Sequence, residues 1–263
     1  MERLFIIKIG GNVIDSEDSL QSFLKDFASI VGKKILVHGG GKIATKMGGR
    51  LGIQSNYING RRITDDATID LVTMVYGGLV NKKIVAQLQS FNCNSIGLTG
   101  ADGNIIPAIK RPVKDVDFGW VGDVESGKLK VENVKLFLEN GLVPVFAPLT
   151  HDQQGHILNT NADTIASSLA VALSAWYNVR LIYCFEKKGV LENADDDNSV
   201  IKLINKPTYQ QLLSEQKLFA GILPKIDNAF AAIDAGVKEV LVGDAKDLLQ
   251  NTGDKISGTL FIK

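Results

Sequence analysis

Cysteine and histidine are scarce in this chain of 263 residues, which holds two cysteines and three histidines. Cys93 and Cys184 lie far apart and form no C-x-x-C pair, which excludes a disulfide framework and a thioredoxin-like redox motif. The histidines share no zinc-ligand spacing with the cysteines or with carboxylates. Two isolated thiols are typical of proteins from a reducing compartment, and we predict a cytoplasmic protein.

Excess charge and long apolar runs are also missing. Lysine plus arginine and aspartate plus glutamate each number 29, so the formal net charge is zero. A neutral chain has no global field that attracts nucleic acid or an anionic membrane. The longest apolar runs have the length of a strand, and the first residues show no signal-peptide pattern. We therefore predict no nucleic-acid partner and no membrane partner.

Several common catalytic motifs are absent from the sequence. There is no G-x-x-x-x-G-K-[ST] P-loop, no protein-kinase set of glycine loop, H-R-D and D-F-G, and no G-x-S-x-G nucleophile elbow. One rival pattern remains, because Gly39–Ala44 reads G-x-G-x-x-A after a strand-like run, as in dinucleotide-binding folds. That pattern needs an acidic residue at the end of a second strand to hold the ribose. The sequence instead has a basic hairpin at 57–62, which disfavours a dehydrogenase.

Two glycine loops are the most informative feature that is present. Lys-Ile-Gly-Gly-Asn at 8–12 and Val-His-Gly-Gly-Gly-Lys at 37–42 each follow a short apolar run that is typical of a buried strand. Glycines in such loops let backbone N–H groups approach an anion closely, and a nearby lysine adds a full charge. Two such loops after successive strands predict the two walls of a phosphoryl site.

Strands alternate with amphipathic helices along the whole chain, without an internal repeat or a long linker. Helical crossovers between strands imply an α/β fold with a mainly parallel central sheet. We expect one long helix over 66–90, a hairpin over 57–64 that turns at Asn59-Gly60, and a β-rich stretch over 105–130. Strands are predicted at 4–9, 34–37, 95–98, 143–148, 180–185, 239–242 and 259–262. Further helices are predicted at 20–31, 42–51, 131–140, 163–175, 208–213, 223–235 and 245–249.

Five motifs occur in a fixed order along the chain. They are Lys8-Ile-Gly-Gly-Asn, His38-Gly-Gly-Gly, Gly60-Arg-Arg-Ile-Thr-Asp, Asn159-Thr-Asn-Ala-Asp163 and Gly221-Ile-Leu-Pro-Lys225. Together they resemble the amino acid kinase family, which includes carbamate, aspartate, glutamate 5- and uridylate kinases. The resemblance covers essentially the whole chain, and the ordered set is far more specific than any one motif.

The resemblance implies a fold and a reaction. The fold is a three-layer α-β-α sandwich in which 1–263 form a single domain. Its N-terminal lobe, 1–150, binds the acceptor and dimerises, and its C-terminal lobe, 151–263, binds ATP. The reaction is ATP-dependent phosphorylation of the side-chain carboxylate of an N-acylglutamate, with Mg²⁺ carried on the nucleotide phosphates. The acyl group, acetyl or succinyl, is left open.

The resemblance also assigns roles within the motifs, and none of these residues is a metal ligand. The catalytic residues are Lys8 and Lys225, which contact the phosphoryl group and the ATP phosphates, and Asp163, which holds both lysines in place. The acceptor is bound by Gly40, Gly41, Arg62 and Asn159, and phosphate by Gly10 and Gly11. A general base is not needed, because the acceptor carboxylate is already ionised at neutral pH.

Local sequence supports some of these roles. Lys225 begins an apolar-striped helix, where a cation opposes the helix dipole unless an anion is also present. Asn161 is placed to cap the helix that Asp163 begins, although an acidic residue also suits a helix N-terminus for its own sake. The sequence alone does not decide between Arg61 and Arg62, whereas alignment to the family motif favours Arg62.

Two residues depart from the family pattern, and other functions stay open. Glu186 stands on the nucleotide side where relatives usually have aspartate. Trp120 replaces a smaller aromatic residue near the acyl end, where it either packs in its loop or reshapes the acyl pocket. Another amino acid kinase and a non-catalytic nucleotide sensor are the alternatives, and Lys8, Asp163 and Lys225 argue against the sensor.

Regulation and assembly are further expectations from the resemblance. Members that arginine inhibits carry an extra N-terminal helix that links dimers into a ring. In this sequence the first strand-like run begins a few residues after Met1. We expect a homodimer that arginine does not control, paired through the helix predicted over 66–90.

Overall fold

The computed structural model describes residues 1–125, 127–193, 195–215, 218 and 223–263, with Asn12 and Pro224 described by their backbone alone. The strands are β1 Arg3–Ile9, β2 Lys33–His38, β3 Tyr57–Ile58, β4 Arg61–Arg62, β5 Ser95–Leu98, β6 Ala108–Lys110, β7 Gly122–Val124, β8 Val143–Phe146, β9 Leu149–His151, β10 Ile157–Asn159, β11 Asn178–Phe185, β12 Leu203–Ile204, β13 Glu239–Asp244 and β14 Thr259–Phe261. The α-helices are α1 Gly11–Asp15, α2 Glu17–Ser29, α3 Gly41–Arg50, α4 Asp66–Val72, α5 Asn81–Ser90, α6 Glu132–Glu139, α7 Ala162–Leu173, α8 Lys206–Ser214, α9 Leu223–Asp234 and α10 Leu248–Thr252.

Eight strands form the central sheet in the order β12-β14-β13-β11-β1-β2-β8-β5. Neighbouring strands run parallel except β13 and β14, which are antiparallel. One apolar cluster joins the sheet to α6, α7, α8 and α9, and a second joins it to α2, α4, α5 and α10. The sheet is therefore the middle of three layers, which confirms the predicted α/β fold.

The helix predicted over 66–90 is present but is not a uniform α-helix. Thr73–Val80 is π-helical and separates α4 from α5. At its end the N–H of Asn81 donates to the carbonyl of Tyr76, five residues back. Such a wide turn changes which side chains face the sheet, and π-helical turns occur mostly at functional sites.

Two short antiparallel strand pairs were not predicted correctly from the sequence. The pair β9–β10 was not predicted, whereas the stretch predicted to be β-rich holds only the three-residue strands β6 and β7 among its described residues. A side-chain contact that the sequence did not indicate accompanies the first of these pairs. The buried hydroxyls of Thr150 in β9 and Thr160, the residue after β10, lie 2.7 Å apart.

The hairpin predicted over 57–64 is confirmed as β3 and β4. Its turn residues Asn59 and Gly60 have φ of 50° and 74°, as a turn that needs positive φ requires. In the part of the chain that the structure describes, no helix combines the length and the apolar character needed to cross a membrane.

Candidate active site

The carboxyl ends of three neighbouring strands meet at one edge of the sheet. β1 lies between β2 and β11, and Lys8 pairs in register with Val37 and Tyr183. Because the three strands are parallel, both glycine loops and the segment that begins at Glu186 follow this edge. Ligands of open α/β sheets bind outside the carboxyl ends of the strands. The structure therefore brings the predicted glycine loops together.

Two lysines and one aspartate meet at this edge. The Nζ of Lys8 lies 2.7 Å from Oδ1 of Asp163. The ring centroid of Phe185 is 3.7 Å from Nζ of Lys225 and 6.0 Å from Nζ of Lys8. Two ammonium groups thus face one aromatic ring, which is a favourable surface for cations. All three residues predicted to be catalytic are neighbours, although 217 positions separate the lysines in the sequence.

Two carboxylates act on the two lysines of this cluster. Burial lowers the pKa of Lys225; Asp163 and Glu186 raise this pKa, and Lys8 lowers it further. The buried Oδ1 of Asp163 has an ion-pair contact but accepts no well-directed hydrogen bond from the described residues. Asp163 and Glu186 together offset the charge of the two lysines, whose ammonium groups remain hydrogen-bond donors suited to the oxygens of a phosphate group.

Asp163 owes its position to the start of α7. Asn161 caps this helix, because its Oδ1 accepts hydrogen bonds from the N–H groups of Asp163 at 2.7 Å and Thr164 at 3.3 Å. The predicted cap is confirmed. The cap fixes the first turn of α7 and with it the direction in which the Asp163 side chain leaves the helix.

The glycines of the two loops differ in what they require. A Cβ on Gly40 would lie 3.0 Å from Cδ1 of Tyr76, so a side chain at this site would require the ring to shift. A Cβ on Gly10 would lie 3.6 Å from Nζ of Lys8, and one on Gly41 would meet nothing within 4 Å. Gly11 and Gly41 begin α1 and α3. The N–H groups at the start of α3 are suited to an anion.

Arg62 is buried beside the second glycine loop, with 7% of its surface exposed. Its Nη2 donates to the carbonyl of Gly41 at 2.8 Å and to Oγ1 of Thr45 at 2.9 Å, and its Nη1 donates to Ser55. The guanidinium also lies 4.8 Å from the ring centroid of Tyr57. Arg62 therefore fixes the loop as well as facing the cleft, a second role that the sequence did not indicate.

A cleft of about 470 Å³ opens between the glycine loop 39–41 and the start of α7. Its lining includes all four residues predicted to bind the acceptor, Gly40, Gly41, Arg62 and Asn159, together with Asp163, which was predicted to be catalytic. The Nδ2 of Asn159 donates to Oγ1 of Thr64 at 3.0 Å, which fixes the amide at the wall. Arg61, Tyr76 and Arg111 also line the cleft. Tyr76 and Arg111 were missed, because nothing in the local sequence marks either residue.

Trp120 packs against side chains from three other segments of the chain. Its ring stacks on His156 with centroids 4.8 Å apart, Nζ of Lys110 lies 3.8 Å from the ring centroid, and its Nε1 donates to Asp66 at 2.6 Å. Its backbone carbonyl accepts from the N–H of Asn159 at 2.9 Å. The indole therefore stabilises the loop that carries one wall of the cleft, in agreement with the packing alternative.

The last predicted motif is only partly covered. Residues 221 and 222 of the Gly221–Lys225 motif lie outside the described residues, and Lys225 is described in the first turn of α9. Within the described residues no group of three or more histidine, cysteine, aspartate or glutamate side chains is arranged to hold a metal ion.

Fold and site together define a class of protein. A three-layer α/β fold whose sheet edge gathers two lysines and glycine-loop amides beside a cleft is suited to phosphoryl transfer, which is catalysed by positioning and charge stabilisation. The profile of the amino acid kinase family matches residues 3–244. The chain belongs to this family, which confirms the prediction from the five motifs.

Relatives and solved structures agree with this assignment. The acetylglutamate kinase of Cytophaga hutchinsonii is 55% identical over 264 residues, covering 100% of this chain and 99% of that protein. The acetylglutamate kinase of Bacteroides thetaiotaomicron is 53% identical over 255 residues, covering 97% and 98%. The carbamate kinase of Giardia lamblia has the same fold, with a TM-score of 0.69, 13% identity, and coverage of 100% of this chain and 99% of that chain.

Proposed function

We propose that the protein is an ATP-dependent kinase that phosphorylates the side-chain carboxylate of N-acetyl-L-glutamate, yielding N-acetyl-L-glutamyl 5-phosphate for arginine biosynthesis. The observation that carries this proposal is identity above 50% over essentially the full chain with proteins named acetylglutamate kinase. The grouping of Lys8, Asp163 and Lys225 at one sheet edge supports catalysis rather than a nucleotide-sensing role.

In the proposed reaction, one oxygen of the acceptor carboxylate attacks the γ-phosphorus of ATP. The new bond joins this oxygen to phosphorus, the bond from phosphorus to the β–γ bridging oxygen breaks, and ADP leaves. No proton moves, because the attacking carboxylate is already ionised. Lys8 stabilises the charge on the transferring group, Lys225 stabilises the leaving phosphate oxygens, and Asp163 keeps the two cations in place.

We assign the two substrates to the two lobes. The acceptor occupies the cleft that the N-terminal lobe, 1–150, forms together with Asn159 of the C-terminal lobe. Arg62 and Asn159 bind its α-carboxylate, and the amides of Gly40 and Gly41 bind the reacting end. ATP lies over the C-terminal lobe, 151–263, with its phosphates near Lys225, Gly10 and Gly11.

The residues fit a polyphosphate, since the half-buried lysines and the loop amides are hydrogen-bond donors to anions and Oδ1 of Asp163 accepts no directed hydrogen bond from the described residues. Mg²⁺ bound to the phosphates would neutralise part of their charge.

The acyl group is tested by turnover on N-acetylglutamate, N-succinylglutamate and free glutamate in parallel, with hydroxylamine trapping of the acyl phosphate. We expect ATP-dependent hydroxamate with N-acetylglutamate and little with free glutamate. A reaction without ATP is the control. Hydroxamate from N-succinylglutamate alone would show that the acyl group is succinyl and that the type of reaction is as proposed. ATP binding without hydroxamate from any acceptor would favour the nucleotide sensor.

We further propose a homodimer that pairs through α4, the π-helical segment and α5. Met74 and Leu79 are large apolar residues of this segment, and 56% and 37% of their surfaces are exposed. Exposed apolar side chains that share a helical segment favour burial between subunits. Met74→Glu combined with Leu79→Glu should therefore convert the dimer to a monomer in light scattering after size exclusion.

The control for this dimer is Leu136→Glu on α6, in the opposite helical layer, where 55% of the leucine is exposed. This variant should remain dimeric. Dimers in both variants would contradict the proposed interface.

For the cell compartment we propose the cytoplasm, in keeping with two free buried cysteines.

A further inference from the structure

A buried histidine contacts the second glycine loop from the side of the core. His38 is the last residue of β2, directly before the loop 39–41, and it is fully buried. Its Nδ1 lies 2.7 Å from the carbonyl oxygen of Gly39, and its Nε2 lies 3.1 Å from Nδ2 of Asn81. Neither His38 nor Asn81 has a role in the reaction as derived above.

The partners of the imidazole allow one protonation state. A carbonyl oxygen only accepts, so Nδ1 must carry the hydrogen and donate it to Gly39. Nε2 is then a lone pair that accepts from the amide of Asn81, whose Nδ2 also donates to the carbonyl of Val145 at 2.9 Å. Nζ of Lys82 donates to Oδ1 of Asn81 at 3.2 Å. Burial, with a smaller contribution from Lys82, lowers the pKa of His38 to about 4, so the ring is neutral at physiological pH.

The Nδ1–H bond sets the direction of the next amide. In a trans peptide the carbonyl of one residue and the N–H of the next point in opposite directions. Because the carbonyl of Gly39 points to His38 in the core, the N–H of Gly40 points away from it. This N–H has no hydrogen-bond partner among the described residues, and Gly40 lines the cleft.

The π-helical segment supports the same loop from a second side. It presents Tyr76 to Gly40, where a Cβ would lie 3.0 Å from the ring, and Asn81 follows directly after its last residue. Gly97 on β5 makes room for the Asn81 amide, since a Cβ there would lie 2.0 Å from Oδ1. The amide of Asn81 therefore has a fixed place, and the imidazole has a fixed tautomer.

We propose that His38 and Asn81 are positioning residues that orient the N–H of Gly40 toward the oxygens of the transferring phosphoryl group or of the acceptor carboxylate. Arg62 fixes the other end of the loop through the carbonyl of Gly41 at 2.8 Å. The loop is thus fixed at both ends before substrate binds. Because its amides are already oriented, they stabilise the charge of the transition state without first having to reorganise. The inference rests on the proposed function.

Two substitutions at His38 separate positioning from packing. His38→Asn keeps an amide donor close to the place of Nδ1, whereas His38→Leu removes the donor and fills more of the space. We expect His38→Leu to lower kcat about 10²-fold, as for a misplaced catalytic group, with KM for ATP unchanged. His38→Asn should retain kcat within about tenfold of the wild type. Equal losses in both variants, or losses that follow the melting temperature, would overturn the proposal.

Asn251 is a matched control for Asn81, because both asparagines are 1% exposed. The Oδ1 of Asn251 accepts hydrogen bonds from the N–H groups of Ser257 and Gly258, away from the glycine loop. Both Asn81→Leu and Asn251→Leu should lower the melting temperature. Only Asn81→Leu should lower kcat, measured on folded protein by hydroxamate formation. A similar kcat for the two variants would contradict positioning by Asn81.

A long-range ¹H–¹⁵N spectrum tests the hydrogen bond without any assay of activity. At pH 7 the signals that His38→Asn removes should show a protonated Nδ1 and an unprotonated Nε2. The opposite tautomer, or a ring that titrates near neutral pH, would overturn the proposal. A wild-type protein that forms no hydroxamate but shows the expected tautomer would contradict the proposed function and leave the loop geometry intact.

Discussion

Replacing Lys8 by methionine should lower kcat on the order of 10³-fold, because the transferring phosphoryl group loses a preorganised cation inside a partly desolvated site. Methionine is one atom shorter than lysine but keeps an unbranched side chain and much of its volume. The Nζ of Lys8 lies 2.7 Å from Oδ1 of Asp163 and only 12% of the side chain is exposed, so water replaces the ammonium poorly. The measurement is the rate of hydroxamate formation at saturating ATP and N-acetylglutamate.

Lys33→Met is the matched control for this variant. Lys33 begins β2, next to β1, and its Nζ lies 2.8 Å from Oε2 of Glu2. This ion pair resembles that of Lys8, but it lies at the amino edge of the sheet, away from the cleft. Lys33→Met should retain kcat within about twofold, since exposed ion pairs contribute little. A Lys8→Met enzyme with kcat within tenfold of the wild type would contradict the role of Lys8.

The strand pattern of this chain was readable from sequence because buried parallel strands are continuous apolar runs. Leu4–Ile9, for example, is a six-residue apolar run but for Lys8, and it forms the centre of β1. The glycine loops were readable for a related reason, since glycine is required where backbone approaches a ligand or another chain segment. Both features depend on residues that are close in sequence.

Features that depend on distant contacts were not readable. The π-helical turns of Thr73–Val80 have no local signature, yet they place Tyr76 against Gly40 and Asn81 against His38. The same holds for Arg111, which reaches the cleft while its guanidinium is paired with Asp123 at 2.6 Å. His38 in the glycine motif does not by itself indicate a role. Its role in the loop follows from the hydrogen-bond partners of its two ring nitrogens.

Asp163→Asn should lower kcat on the order of 10²-fold, because the change removes the negative charge that lies between two lysines while it keeps the size of the side chain. Lys8 then loses its ion-pair partner and Lys225 keeps only the weaker attraction of Glu186, so both drift from the phosphoryl group. Asn161 continues to cap α7, since its bonds go to the backbone N–H groups of Asp163 and Thr164. The loss should therefore appear in kcat rather than in stability.

The pH profile distinguishes this account from a helix-dipole role of Asp163. Lys225 must be protonated to act, its pKa is lowered by burial, and Asp163 raises that pKa. Activity should fall as the pH rises through the pKa of Lys225, and Asp163→Asn should move this alkaline limb to lower pH. Glu132→Gln removes a first-turn carboxylate from α6, a helix in the same layer, and should change neither kcat nor the limb. If Asp163→Asn behaved like Glu132→Gln, Asp163 would serve its helix alone, and Glu186 would be the carboxylate that offsets the charge of Lys225.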